Sequence, residues 1–281
     1  MTDLEILEHC ARGEISPQIA LSRLLLTGRG LDTAHLVQMA ASRPDAPQLA
    51  IMARLAERHR DRLEALSELA RSGLWPDGND VLTATAAIFD RLADEAPEAG
   101  VAFYSFGDPG ELAAATDELV GVIRAWASPA GRRVLDFGCG IGRVAIALAD
   151  EAEWVLGVDL SARMIAQAQR RADGRRNISF EQSAACSLPV GPGEVDLLIA
   201  ADSLPFVVRA NAIERFMAEA ARVLGQGGDL LVFNWSYRSD PERDVAEARA
   251  LAATFGFEVL RANERPFAIW DGVGFHLRRA A

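Results

Sequence analysis

The chain has 281 residues, of which half are apolar and a quarter are charged, a composition typical of a globular protein that can bury a core. Its net charge of −11 argues against DNA, RNA or an anionic membrane surface as the main partner, because those partners attract clustered lysine and arginine. Three widely separated cysteines, the lack of a basic-then-apolar leader and the lack of an apolar run of membrane-spanning length favour a cytoplasmic protein.

Residues 1–100 are predicted to be almost entirely helical. Ser16, followed by proline, has the position of a helix N-cap. A long helix is predicted over residues 47–73, with its leucines at helical spacing. The next helix is predicted to start at Asn79 or Asp80, since either side chain can cap it. The sequence therefore predicts a helical region ahead of the rest of the chain.

After about residue 130, short apolar runs alternate with helical patterns. The runs are "RRVLDFG", "EWVLGVDL", "NISFEQS", "VDLLIAAD", "GDLLVFNW", "FEVLRAN" and "VGFHLRR". Strands that alternate with helices predict a mostly parallel sheet covered on both faces. The last two runs have no helix between them, so they predict an antiparallel hairpin at one edge. The stretch "DPGELAAATDELVGVIRAWA" is predicted to be the helix that leads into this α/β domain, which we assign to residues 101–281.

The stretch "VLDFGCGIGR", residues 134–143, predicts a strand, a glycine loop and the start of a helix. Such a loop can hold a nucleotide-like ligand, or it can be only a tight turn. A dinucleotide-binding loop requires glycine at its first, third and sixth positions, and the sixth position counted from Gly138 is Arg143. Asp136, two residues before the first glycine, is not part of that fingerprint. Both observations weaken the dinucleotide interpretation.

These residues resemble motif I, the D-x-G-x-G loop, of the class I S-adenosylmethionine-dependent methyltransferases. The resemblance continues over roughly residues 100–281. There "VLGVDLSARMIAQA" is similar to the family's second strand and helix, "SLPVGPGEVDLLIAADSL" to the segment entering the fourth strand, and "EAARVLGQGGDLLVF" to the segment entering the fifth. The resemblance implies a Rossmann-like, doubly wound, mostly parallel seven-stranded sheet with a C-terminal antiparallel hairpin strand. It also implies S-adenosylmethionine as methyl donor and S-adenosylhomocysteine as product.

The resemblance further implies which residues hold the donor. Asp159 is expected to bind the ribose hydroxyls, and Asp136 to accept from the donor's ammonium or, alternatively, to cap the loop. Where many relatives have an aspartate for the adenine, this chain has Ala184, so backbone groups and flanking apolar side chains are expected to hold the adenine instead. The predicted donor-binding residues are Asp136, Gly138, Cys139, Gly140, Asp159, Leu160, Met164, Ala185, Cys186 and Ala201.

The acceptor is expected near the loops that follow the fourth and fifth strands and between the last two strands, because ligands bind at the carboxyl ends of such strands. Asp202 is a candidate general base, a candidate contact to the donor's ammonium, or a helix N-cap. The predicted catalytic residues are Asp202, Tyr237 and Tyr104. The predicted substrate-binding residues are Trp235, Arg238, Arg265, Trp270 and Phe206, the aromatics as walls and the arginines as partners for an acidic group. No residue spacing indicates a metal site.

Two functions of different classes follow from the sequence. The first is methyl transfer to a small-molecule acceptor, partly aromatic or carboxylate-bearing. It is favoured over nucleic acid by the acidic charge and by "ADSLPF" where many nucleic-acid amino methyltransferases have N/D-P-P-Y/F. The second is a catalytically weak donor-binding module that acts in regulation or assembly through the helical region. A nicotinamide-dependent oxidoreductase is a distant third. Residues 1–100 are expected to form a lid over the acceptor pocket or a homodimer surface.

Overall fold

The computed structural model describes residues 2–27, 32–71, 80–184 and 186–280, which fall into two compact units. The helical unit comprises residues 1–75, 96–115 and 267–271, and the α/β unit comprises residues 76–95, 116–266 and 272–281. Three segments cross the sequence-based border near residue 100, and one of them is residues 101–115, which belong to the helical unit. Residues 76–95 belong to the α/β unit, and residues 267–271 belong to the helical unit.

In chain order the elements are α1 (Asp3–Ala11), α2 (Pro17–Leu26), α3 (Thr33–Ser42), α4 (Pro47–Arg58), α5 (Arg60–Arg71), α6 (Val81–Glu95), α7 (Pro97–Val101), a 3-10 helix (Phe103–Ser105), α8 (Pro109–Trp126), β1 (Arg133–Phe137), α9 (Arg143–Leu148), β2 (Trp154–Asp159), α10 (Ala162–Ala172), β3 (Ile178–Gln182), β4 (Val195–Ala201), α11 (Leu204–Arg209), α12 (Ile213–Val223), β5 (Leu224–Phe233), α13 (Pro241–Phe255), β6 (Phe257–Glu264) and β7 (Gly274–Arg279). Among the helices that the structure describes, none combines the length and the apolar content that a membrane span requires.

The helical unit confirms one predicted helix and corrects another. The Ser16 hydroxyl accepts from the Ile19 amide at 3.1 Å, so the predicted N-cap of α2 is confirmed. The single helix predicted over residues 47–73 is wrong. Two helices occupy that stretch, α4 and α5, and the chain breaks between them at His59, whose φ of −107° and ψ of 19° leave the helical range. The His59 ring is buried and packs on Phe106 with centroids 5.6 Å apart, a tertiary contact that the leucine spacing cannot reveal. Gly73 lies outside the described residues.

The α/β unit contains, within the described residues, a seven-stranded sheet of order β3-β2-β1-β4-β5-β7-β6. Strands β1 to β5 pair in parallel, whereas β7 pairs antiparallel with both β5 and β6. The predicted fold class, including the C-terminal antiparallel hairpin, is confirmed. The central strands are buried on both faces, as Val134, Leu198 and Leu231 illustrate with no exposed surface. This burial explains why these strands read as continuous apolar runs rather than alternating ones.

Helix α6 belongs to the α/β unit although it precedes that unit's sheet by some forty residues. Its N-cap is Asp80, whose carboxylate accepts from the Thr83 amide at 3.1 Å, while the alternative, Asn79, lies outside the described residues. The helix packs on α10 and α11 and continues to Glu95. The Gln167 amide of α10 donates to the Ala93 carbonyl at 2.8 Å. The sequence alone gave no reason to place this helix beside the sheet.

Candidate functional site

The glycine loop lies between the carboxyl end of β1 and helix α9, and it is tied to β2. The amides of Gly138 and Cys139 both donate to the Val158 carbonyl, at 2.8 and 3.0 Å. Gly138 has a φ of 72°, and a Cβ there would lie 2.3 Å from the Cβ of Ser203 after β4. Only glycine fits that position, because the loop backbone and the end of β4 approach each other so closely. The loop is therefore a tightly held cradle at the carboxyl ends of the central strands.

Asp136 lies within β1 and has an incomplete set of partners. Its side chain is 2% exposed, and its Oδ2 has no hydrogen-bond partner in the described part of the chain. Burial raises the pKa of Asp136 to about 7, and the nearby Arg143 guanidinium and Ala145 amide offset that rise only in part. Buried polar atoms are nearly always paired, and an unpaired one costs about 1–3 kcal/mol. The orphaned oxygen therefore marks a place where a ligand's donor group would fit.

Asp159 ends β2 and completes the loop from the other side. Its Oδ2 accepts from the Gly140 amide and its Oδ1 from the Ser161 amide, each at 2.9 Å. Burial raises the pKa of Asp159, and these two amides oppose the rise. Each oxygen keeps acceptor capacity beyond its one amide, so the carboxylate can still receive two further donors such as adjacent hydroxyls. The carboxylates of Asp136 and Asp159 are close enough that Asp159 also raises the pKa of Asp136.

The remaining residues predicted to hold the donor differ in accessibility. Leu160 and Ala201 are partly exposed at the ends of β2 and β4, as a ligand wall requires, whereas Met164 is completely buried. No surface of the Met164 side chain is exposed in this structure, and its contact with an adenine face stays a prediction. Cys139 and Cys186 have thiols whose pKa burial raises, which suits packing roles. Ala185 lies outside the described residues.

Asp90 of α6 is part of this region, although no sequence motif marks it. Its Oδ1 accepts from the Ser161 hydroxyl at 2.6 Å and from the Arg163 amide at 3.1 Å. It thereby holds the first turn of α10 directly beside Asp159, and its charge contributes to the raised pKa of Asp159. The sequence signal was weak, since Asp90 is one acidic residue in an ordinary amphipathic helix. Its partners lie about seventy residues further along the chain.

Asp202 follows β4 and forms a second polar cluster with residues after β5. Its Oδ1 accepts from the Asn234 side chain at 2.7 Å and from the Tyr237 hydroxyl at 2.8 Å. The alternative of a helix N-cap is wrong, because the N-cap position of α11 is Ser203, and the Ser203 hydroxyl donates to the Phe137 carbonyl instead. Both Asp202 and Asn234 have positive φ, at 60° and 67°, so two strand ends are bent to bring this cluster together. Asn234 is a further member of this cluster that no sequence motif marks.

Three aromatic rings adjoin this cluster. Phe206 of α11 lies edge-on to Tyr237 with centroids 5.9 Å apart, and edge-on to Phe89 of α6 with centroids 5.5 Å apart. Tyr237 is 45% exposed, and the other two rings are partly exposed. Phe206 and Tyr237, both predicted from the sequence, therefore lie in one aromatic group with Phe89 of α6. The sequence did not indicate a role for Phe89.

Two predicted substrate contacts are engaged elsewhere. Trp235 is 1% exposed, packs on Phe275 and donates its indole N–H to Glu247 at 2.8 Å, so it is a core residue. Arg238 forms ion pairs with Asp244 at 2.6 Å and with Glu247 at 2.5 Å, and both partners raise the pKa of its guanidinium. Its charge is already balanced within α13 and the loop after β5. Neither prediction is supported by the structure.

Two further predicted residues lie together in the helical unit. Tyr104 and Trp270 stack with centroids 6.1 Å apart, and they are 7% and 6% exposed. Phe267 packs on Trp270 at 4.9 Å. The structure thus places this aromatic cluster in a different unit from Asp136 and Asp202.

Arg265, in the α/β unit, is exposed. Over the part of the chain that the structure describes, no group of three or more His, Cys, Asp or Glu side chains could hold a metal ion.

Comparison with known proteins supports the resemblance to methyltransferases that the glycine loop indicates. Residues 134–228 match the model of the methyltransferase domain family. YqeM of Bacillus subtilis, which carries a provisional methyltransferase name, is 28% identical over 160 residues, covering 52% of this chain and 64% of YqeM. The demethylmenaquinone methyltransferase of Tropheryma whipplei is 34% identical over 118 residues, covering 42% of this chain and 46% of that protein. The chain thus spans less than two thirds of the length of these relatives.

The fold is also shared with a solved methyltransferase. The magnesium protoporphyrin IX methyltransferase ChlM from Synechocystis PCC 6803, solved with bound S-adenosylmethionine, has 20% sequence identity and a TM-score of 0.54 over 72% of this chain and 98% of ChlM. At that identity the likeness concerns the fold. The match over residues 134–228, the strand order and the loop geometry agree, and the α/β unit of this chain has the fold of the class I S-adenosylmethionine-dependent methyltransferases.

Proposed function

We propose that this chain binds S-adenosylmethionine at the carboxyl ends of β1 and β2 and transfers its methyl group to a small-molecule acceptor. The observation that carries the proposal is the orphaned Oδ2 of Asp136, buried beside the glycine loop. The donor's ammonium supplies the hydrogen-bond donor and the positive charge that this oxygen lacks. A charge-assisted bond of this kind is stronger than a neutral one.

The rest of the cradle fits the same ligand. Gly138 keeps the loop backbone close to the end of β4, and any larger residue would fill that space. Asp159 is held rigidly by two backbone amides and retains acceptor capacity for the two ribose hydroxyls. Asp90 fixes the first turn of α10 and so keeps Asp159 in its position. In this proposal Asp90 is a positioning residue that does not itself contact the donor.

The Asp202 cluster is the proposed catalytic centre. Once bound, S-adenosylmethionine supplies a methyl group on a positively charged sulfur, which is an excellent leaving group. The protein's task is to align the acceptor and to remove its proton if it carries one. The carboxylate of Asp202, oriented by Asn234 and Tyr237, can accept that proton. This oriented carboxylate favours an enzyme over a module that only binds the donor.

The acceptor is proposed to be a small molecule, as is the demethylmenaquinone named in one relative. The partly exposed aromatic rings around Tyr237 support an apolar or aromatic acceptor. The ion pairs of Arg238 remove one of the two arginines predicted to hold an acidic group. For the helical unit, the roles of a lid or of a homodimer surface stay predictions.

Calorimetric titration with S-adenosylmethionine, S-adenosylhomocysteine and NAD tests the donor assignment. We expect the first two to bind in the micromolar range and NAD not to bind. Asp159→Ala should weaken donor binding by about 1.5–3 kcal/mol, because buried partners are left unpaired. Asp150→Ala, which removes an exposed carboxylate of the same unit, is the matched control and should leave binding unchanged. NAD binding without a response to the methyl donor contradicts the proposal, and donor binding without turnover of any acceptor would favour the regulatory module.

A further inference from the structure

We propose that Phe89, Phe206 and Tyr237 form a subsite for a planar, apolar acceptor that carries an uncharged hydroxyl or amine, and that Phe89 of α6 determines acceptor specificity. The proposal rests on the proposed function, because it concerns the acceptor of that reaction. It concerns a helix that lies outside the segment matched by the methyltransferase domain family, residues 134–228. No acceptor-binding role for α6 follows from the sequence pattern.

The three rings form a continuous aromatic surface from separate parts of the chain. Phe206 lies between the other two, with interplanar angles of 85° to Phe89 and 88° to Tyr237. Edge-to-face contacts of this kind fix the orientation of aromatic side chains. All three rings keep part of their surface exposed, and Tyr237 is 45% exposed. Three adjacent aromatic rings that each keep part of their surface open favour an apolar ligand.

Exposure distinguishes this surface from the other aromatic clusters. Trp235 is 1% exposed and belongs to the core. Tyr104 and Trp270 cover each other and are 7% and 6% exposed. Those rings have little surface to offer a ligand. The Phe89–Phe206–Tyr237 surface is accessible and, through the Tyr237 hydroxyl, is directly linked to Asp202.

The polar end of the subsite selects for a hydrogen-bond donor. Asp202 is an acceptor-only group when ionised, and it already receives donors from Asn234 and Tyr237. A further partner at this carboxylate must therefore bring an N–H or O–H. A carboxylate on the acceptor would face Asp202, while the guanidinium of Arg238 is occupied by Asp244 and Glu247. This arrangement favours a neutral hydroxyl or amine over an acidic group.

The methyl-transfer step balances with these residues. For a hydroxyl acceptor, the oxygen–carbon bond forms as the donor's carbon–sulfur bond breaks, and the electron pair of the broken bond stays on sulfur. The hydroxyl proton passes to the Asp202 carboxylate. The aromatic surface contributes by holding the ring so that its hydroxyl meets both the carboxylate and the methyl carbon.

The test measures the binding of two bicyclic probes to the 281-residue chain loaded with S-adenosylhomocysteine. 2-Naphthol is planar and neutral, and 6-hydroxy-2-naphthoic acid adds one carboxylate to the same ring system. Binding of each is measured by calorimetry, and methyl transfer is measured separately with radiolabelled donor. The variants are Phe89→Ala, Phe89→Leu, which retains apolar volume without the ring, and Ala87→Ser as a control at an exposed position of the same helix.

We expect 2-naphthol to bind at least tenfold more tightly than the carboxylate probe. Phe89→Ala should weaken 2-naphthol binding tenfold or more and Phe89→Leu about threefold, while S-adenosylhomocysteine affinity changes less than threefold and Ala87→Ser changes neither. Tighter binding of the carboxylate probe, or undiminished 2-naphthol binding to a Phe89→Ala variant that still binds S-adenosylhomocysteine, overturns the inference and leaves the donor assignment standing. If the wild-type protein does not bind S-adenosylhomocysteine, that result instead contradicts the proposed function itself.

Discussion

Two buried aspartates in the same sheet, Asp136 in β1 and Asp229 in β5, have opposite surroundings. Asp229 is 3% exposed and receives three cationic or ring N–H donors, from Arg132 at 2.8 Å, His276 at 2.8 Å and Arg278 at 2.9 Å. Burial alone would raise the pKa of Asp229, but these hydrogen bonds outweigh it and lower the pKa to about 2. Asp136 is equally buried, keeps one oxygen unpaired and has a pKa raised to about 7.

The difference separates a carboxylate that stabilises the fold from one that is prepared for a ligand. A fully paired buried carboxylate is satisfied within the protein, so it has no capacity left for a substrate. An unpaired one lowers the stability of the free protein and regains that free energy when a positively charged ligand binds. The two sites are therefore expected to respond in opposite directions to substitution and to pH.

The largest expected effect is at Asp229. Asp229→Ala leaves the three surrounding donors without their common acceptor, and breaking such a buried cluster costs about 3–5 kcal/mol. We expect the free energy of unfolding, measured by urea denaturation near neutral pH, to fall by about that amount. Donor affinity measured on the folded variant should stay within threefold of the wild type. A loss below about 1 kcal/mol would mean that the cluster does not stabilise the sheet.

Acid titration sharpens this expectation, because a lowered pKa stabilises the folded state above the pKa of the unfolded chain. As the pH falls from about 4 to about 2, the contribution of Asp229, about 2 kcal/mol for this shift, is lost. Asp229→Asn should remove that acid-dependent part of the unfolding curve. Arg124→Ala, which breaks an exposed ion pair with Glu151, is the control and should leave the acid dependence unchanged.

Substitution of Asp136 is expected to change the free energy of unfolding by a smaller amount than substitution of Asp229, and in the opposite direction. Asp136→Asn keeps the shape of the side chain but removes the charge, so donor binding should weaken by about 2–3 kcal/mol, the scale of a hydrogen bond to a charged group. The raised pKa means that ionisation destabilises the folded state as the pH rises from about 4 through about 7. The variant should therefore unfold less readily than the wild type at about pH 8, by at least about 1 kcal/mol.

Calorimetry and urea denaturation of the same Asp136→Asn sample separate the two roles. Weaker donor binding together with higher stability supports a carboxylate held ready for a ligand. Reduced stability at about pH 8 would instead indicate that Asp136 supports the loop as Asp229 supports the sheet, and the contrast between the two sites would fail. Wild-type donor affinity should also rise between about pH 5.5 and about pH 8, as Asp136 ionises.

The smallest effect is expected at Asp90. Asp90→Ala removes the acceptor for the Ser161 hydroxyl and the Arg163 amide, and the loss of a helix-capping contact costs about 1 kcal/mol. Because these contacts hold the turn that follows Asp159, we expect donor affinity to fall by about threefold to tenfold, with acceptor affinity little changed. Thr83→Ala at the exposed start of α6 serves as the control. An effect on acceptor binding alone would exclude a role beside the donor.

Most of the α/β fold and the donor loop could be predicted from the sequence. The seven apolar runs became the seven strands, and "VLDFGCGIGR" gave both the turn and the position of Asp136. These features are local, because the apolar run that marks a strand, the conformation of a glycine and the position of a side chain along a strand depend on residues close in the chain. The helix break at His59 was not predictable, since the leucine spacing continues through it.

The partners of each side chain were decided by the tertiary structure alone. The sequence predicts Arg238 as a cation for the acceptor, but in the structure it pairs with Asp244 and Glu247 of α13. The sequence predicts Trp235 as a wall of the acceptor pocket, but in the structure it is buried in the core. The position of β7 between β5 and β6 is likewise absent from the order of the runs. The sequence by itself determined which segments are strands and which loop can approach a ligand. Contacts between distant segments decided which carboxylates keep an oxygen free to bind a ligand. Burial and pairing are properties of the folded surroundings and not of the residue type.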